Sequence, residues 1–98
     1  MLSEQRMLQI AENYASGLIE KTTIEVVIPE KSIVRKPYGN VYFFTTKKHL
    51  DTGDSKYALA GNAPFLVENK TGRIVVLGTA KSEDYYLQEY EAGRWPLK

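Results

Sequence analysis

The chain has no cysteine, which excludes disulfide bridges and thiolate metal sites. An excess of either charge is also missing, since 13 basic and 12 acidic residues leave a net +1 at pH 7. So weak a net field gives no reason to expect nucleic acid or an anionic membrane as a partner. Apolar runs last only a few residues, far short of the roughly 20 that span a bilayer. The opening MLSEQRMLQIAENY meets polar residues within three positions and lacks a signal peptide's apolar core, so a cytoplasmic location is the expectation. What is present, 43% hydrophobic and 26% charged residues over 98 positions, is the composition of one folded domain spanning 1–98.

Met7, Ala11, Tyr14 and Leu18, with Leu8 and Ala15 beside them, recur at helical spacing. Ser3 is placed to cap that helix. From Thr22 the chemistry turns β-branched: Ile24, Val26 and Ile28 alternate with Glu25 and Val27 until Pro29 stops the strand. EKSIVRKPYGN reads as a polar connection with turn formers. VYFFTT then makes a second strand, with Val41, Phe43 and Thr45 on one side and Tyr42, Phe44 and Thr46 on the other. Aromatics on both sides predict a central strand covered on at least part of each face. KKHLDTGDSKYALAGNA reads as a long loop with a helical turn at 55–60. PFLVE and RIVVLG form a hairpin whose turn, ENKTG, needs Gly72 at positive φ. Ser82 caps a last helix with Tyr86, Leu87 and Tyr90 on its apolar face, and Gly93 ends it. The expected fold is α+β: an N-terminal helix, a four-stranded, mainly antiparallel sheet and a C-terminal helix.

Catalytic signatures are scarce too. Asp51-Thr52-Gly53 has the letters of an aspartic-protease triplet, but KKHL precedes it where an apolar strand is required. Polar turn chemistry accounts for it better. His49, Asp51 and Asp54 lack the spacing of a zinc site or an EF-hand, and there is no phosphate loop, GxSxG elbow or HExxH helix. No catalytic residue, cofactor or metal is therefore expected. Seven tyrosines are the conspicuous surplus. Tyrosine combines large contact area with one polar handle, as interfaces favour. Tyr14, Tyr86 and Tyr90 read as completing the core, whereas Tyr38 and Tyr57 suit either packing or binding.

Four segments, LDTGD (50–54), ALAGNAPFLVENKTG (58–72), LGTA (77–80) and YLQEYE (86–91), together resemble the immunity protein 35 family, the YrhB-like domains. The resemblance implies a small α+β protein of a bacterial polymorphic toxin system that neutralises a cognate toxin by binding it stoichiometrically. It also leaves a small heat-resistant chaperone or holdase as the alternative. The glycines and Pro64 of these segments, with Asn62, read as scaffold that presents a surface rather than as reacting groups. The expected contact patch lies between Lys47 and Tyr57, with His49, Asp51, Asp54 and Tyr57 as candidates. Trp95 is a second candidate anchor, or else packs back on the sheet.

Overall fold

The computed structural model describes residues 1–18, 25–53 and 63–96. Ser3 Oγ accepts the Arg6 amide at 3.1 Å and opens helix α1, Glu4–Gly17. Its buried line is Met7, Ala11 and Ala15. Two alanines at the contact, both fully buried, let the helix lie close against its neighbours. Leu18, expected to extend the stripe, is 52% exposed because the helix ends at Gly17.

The strands that follow are β1 (Val26–Val27), β2 (Val34–Lys36), β3 (Gly39–Tyr42) and β4 (Thr45–Thr46). After helix α2 (Lys47–Thr52) come β5 (Phe65–Glu68), β6 (Ile74–Val76) and helix α3 (Glu83–Glu91). The expected α+β architecture is present, with four antiparallel strands in the order β2-β3-β5-β6 and a separate pair, β1 with β4. The membership of the main sheet differs from the sequence reading. The stretch around Val26 pairs with β4 outside the sheet, and the fourth strand is Val34–Lys36, inside the piece read as a connection. Three residues between Pro29 and Pro37 are too few to show a period-2 pattern. VYFFTT is likewise interrupted at Phe43 and Phe44, where the chain leaves the main sheet.

Side-chain alternation divides the interior in two, as β3 foretold. Tyr42, Phe44, Phe65 and Val67 pack with α1 on one face. Val41, Leu66, Val75 and Leu77 pack with Tyr86 and Leu87 of α3 on the other. Phe65 is the centre of the first layer, with Tyr14, Tyr42 and Phe44 around its ring at 4.7, 5.9 and 6.0 Å. The α1 layer also holds a polar lock. Buried Asn40 donates through Nδ2 to both Glu4 carboxylate oxygens and to the Tyr42 hydroxyl, each at 3.1 Å. Burial pushes the Tyr42 phenol up from its ordinary value, the Asn40 bond opposes this and the Glu4 charge adds to it.

The β5–β6 hairpin turns as expected, with Gly72 at φ 78°. Asn69, at the start of that turn, ties three segments together. Its amide donates to the Tyr38 carbonyl at 3.0 Å, its Nδ2 to the Pro37 carbonyl at 2.9 Å, and its own carbonyl accepts the Leu2 amide at 2.7 Å. Asn69 thereby fixes the tip between β2 and β3, where Tyr38 sits.

Candidate functional site

Tyr38 leaves a tight turn in which Lys36 pairs with Gly39, and it leans over α3. Its hydroxyl donates to Glu91 at 2.5 Å. Beside it, Tyr90 of α3 donates to Glu68 of β5, also at 2.5 Å. The two rings lie 5.0 Å apart, tilted at 42°, within the range where aromatic pairs attract. Two tyrosine–carboxylate pairs thus link the β2–β3 turn, the central strand β5 and the end of α3. Burial, the hydrogen bond to Glu68 and that carboxylate's charge together push the Tyr90 phenol up to about 12, with nearby Arg73 pulling the other way. Burial and the bond to Glu91 raise Tyr38 likewise.

This pair forms a ridge between two open grooves. One, of about 510 Å³, is bounded by Tyr38, Tyr90, Glu91, Arg73, Trp95 and Pro96. The other, of about 430 Å³, runs past Met1, Pro37, Glu68 and Lys70. Trp95 reaches its position because Gly93, at φ 78°, ends α3 and turns the tail back. Its indole Nε1 donates to the Val76 carbonyl at 3.0 Å, and its ring lies 4.8 Å from Tyr86. Of its two expected roles, Trp95 therefore fills the packing one, while one edge still borders the first groove. Tyrosine, tryptophan and arginine around one concavity is the composition that carries binding energy at protein interfaces.

The expected patch has a different form. Lys47–Thr52, read as loop, is helix α2, because Thr46 Oγ1 accepts the His49 amide at 3.1 Å and Gly53, at φ 69°, closes the other end. A polar segment of this length carries little periodicity, so only the caps announce it. Asp51 faces Lys47 at 3.4 Å, with both side chains more than half exposed. His49 is half-buried on the same helix. Asp51-Thr52-Gly53 is thus a helix end, with Thr52 Oγ1 donating to the Lys48 carbonyl at 2.6 Å. Asp54 and Tyr57 lie outside the described residues, as does the turn expected at 55–60. His49 and Asp51 share α2, while Trp95 belongs to the groove beside α3, so the candidates occupy separate elements. Among the described residues, no three His, Cys, Asp or Glu side chains gather closely enough to hold a metal.

Sequence reasoning left Tyr38 open, assigned Tyr90 to the core and passed over Glu68, Arg73 and Glu91. Their only sequence signal was nearness to the ENKTG turn and to YLQEYE, since the pairings span 53 and 22 residues of chain.

A helix–sheet–helix domain with a tyrosine-lined, grooved edge defines a small α+β protein. The chain belongs to the immunity protein 35 family, whose family model matches residues 9–93. The match reaches through the N-terminal half, beyond the segments that carried the resemblance. A protein of Escherichia coli K12, described as uncharacterized protein YrhB, is 47% identical over 53 residues. That stretch is 54% of this chain and 56% of the E. coli protein's length. No solved structure matches the chain. Among the described residues, no helix is long and apolar enough to cross a membrane.

Proposed function

We propose that this protein is an immunity protein that binds a cognate bacterial toxin one-to-one and blocks it, without turning over a substrate. The observation that carries the reading is family membership across residues 9–93. The groove that Tyr38, Tyr90 and Trp95 form with Arg73 supports it, because the three aromatic side chains are already held by their own hydrogen bonds and ring contacts. A preordered face loses less entropy when a partner docks. On this reading the partner is a toxin domain encoded beside the protein's own gene, and the complex forms in the cytoplasm.

The test is coexpression. Cells producing the toxin domain survive when this chain is made with it, and the two proteins elute as one complex. Death of the coexpressing cells, or separate elution at micromolar concentrations, overturns the proposal. Suppressed aggregation of unrelated clients, in the absence of toxin binding, would instead favour the chaperone. Turnover abolished by Asp51→Asn would place the protein among enzymes.

A further inference from the structure

The groove beside Tyr38 contains charges that are not equally available. Glu91 already accepts the Tyr38 hydroxyl, and Glu68 on the other flank of the ridge accepts that of Tyr90. A carboxylate holding a phenol at 2.5 Å has part of its accepting capacity filled and its position fixed. Trp95 has spent its one donor on Val76. Arg94, next in the chain, is bound to Glu89 through Nε at 3.0 Å and a second nitrogen at 2.5 Å. Arg73 differs from all of these. It is exposed, borders the groove, and its guanidinium makes no hydrogen bond or ion pair among the described residues. Only its backbone is engaged, with its amide on Thr71 Oγ1 at 3.2 Å and its carbonyl accepting from Glu68 at 2.9 Å. Lys70, on the same turn, is likewise unpaired among the described residues and borders the second groove.

Arg73 therefore brings open donors to an incoming surface, whereas the two carboxylates, though still negatively charged, each have an accepting position filled by a phenol. A planar guanidinium with open donors beside aromatic rings suits a carboxylate, which it can hold through two parallel hydrogen bonds. A cationic side chain would meet carboxylates whose accepting sites are partly filled by phenols and would be repelled by Arg73. We infer that the groove between the Tyr38–Tyr90 ridge and Trp95 receives an aspartate or glutamate side chain of the partner protein, seated on the Arg73 guanidinium with Lys70 attracting the acidic surface around it. The inference rests on the immunity reading for the identity of that partner.

Arg73 can be changed with little effect on the fold, because among the described residues its exposed guanidinium makes no hydrogen bond or ion pair. The probe is the toxin domain from the adjacent gene, in an inactivated form, titrated calorimetrically against the full chain. Arg73→Gln weakens binding about tenfold or more, as loss of a charge-assisted pair does. Arg73→Glu weakens it further, Arg73→Lys keeps part of the affinity, and thermal melts of all three stay at the wild-type value. Raising salt from about 0.05 M to about 0.5 M weakens the wild type more than Arg73→Gln. Among single Asp or Glu to Ala changes in the toxin, one reproduces the loss and adds nothing when combined with Arg73→Gln. A complex indifferent to Arg73 overturns this inference and leaves the immunity reading standing. So does tighter binding by Arg73→Gln combined with weaker binding by Glu91→Gln, which would mean a cationic occupant. Failure of the wild-type chain to bind the toxin overturns both.

Discussion

Gly78 lies between β6 and α3, and its significance is steric. A β-carbon built there would stand 2.3 Å from the Tyr86 hydroxyl oxygen, 2.4 Å from Cζ and 2.8 Å from Cε1. Carbon atoms in contact prefer about 3.5–4.0 Å, so Gly78→Ala forces the ring or the backbone to move by more than an ångström. The ring has little room to withdraw: Tyr86 is 5% exposed, with Tyr85 at 5.2 Å and Trp95 at 4.8 Å. Overpacking typically costs about 1–3 kcal/mol, and overlap with three atoms of a rigid ring puts this case near the top, about 2–3 kcal/mol. For a domain of this size each kcal/mol lowers Tm by about 4–8 °C, so the expected drop is about 8–24 °C. Urea melts should show a lower midpoint at unchanged slope, since the unfolded chain exposes nearly the same surface.

A double-mutant cycle separates this cause from a general intolerance of the turn. Tyr86→Leu alone should cost about 2–4 kcal/mol, mainly through the cavity it leaves. In the Gly78→Ala background it should cost at least about 1 kcal/mol less, because the new methyl takes up part of that space. Tyr86→Phe should rescue little, since Cζ remains at 2.4 Å. If Gly78→Ala melts with the wild type, or if the two costs add within about 0.5 kcal/mol, the glycine is not there to admit the ring and the reasoning fails.

Asn69→Ala removes the donor to the Pro37 carbonyl and should cost about 1–3 kcal/mol, the usual penalty for breaking a part-buried hydrogen bond. Hydrogen exchange should then quicken at the Tyr38 turn before the rest of the sheet. Ser82→Ala deletes the side-chain acceptor of the Tyr85 amide and should cost about 1 kcal/mol in a denaturant melt; no change would mean that α3 is held by packing alone. In alkali, Tyr38 and Tyr90 keep their protons longer in the folded chain than in the unfolded one, where a phenol titrates near 10.0. The folded state therefore binds more protons above that point. The stability this contributes is complete below pH about 10 and is lost as pH rises towards about 12. Phenolate absorbance should show late-titrating groups, and Tyr90→Phe should remove one of them and flatten the alkaline loss of stability.

Local chemistry made the first and last helices readable. Ser3 and Ser82 cap α1 and α3, and Gly93 ends α3, each through contacts only a few residues apart. The two-faced interior was readable as well, because Val41 and Tyr42 are neighbours on opposite sides of an alternating strand. Strand partners were less so. Val34–Lys36 and Val26–Val27 are both short β-branched pieces, and which joins the main sheet depends on where β3 leaves it. Beyond that point Phe44 packs near Phe65, 21 positions later, a tertiary contact that no local window contains.

The surface was the least legible part, for a related reason. Sequence reasoning favoured the charged stretch around α2, where His49 and Asp51 stand close together along the chain. In the fold Asp51 is turned to Lys47, while the two grooves flanking the Tyr38–Tyr90 ridge are assembled from a turn, a strand, a hairpin and a helix end. Tyr38, Glu68, Arg73 and Tyr90 are individually ordinary exposed or half-buried residues. They become distinctive only as a set, when each carboxylate is seen to accept a phenol and the Arg73 guanidinium is seen to pair with nothing among the described residues. Which charge is free depends on which charges are already partnered, and partnership belongs to the folded chain. A near-neutral composition therefore says little about the face a partner meets: the net charge of +1 does not tell which donors and acceptors remain open once the chain has folded.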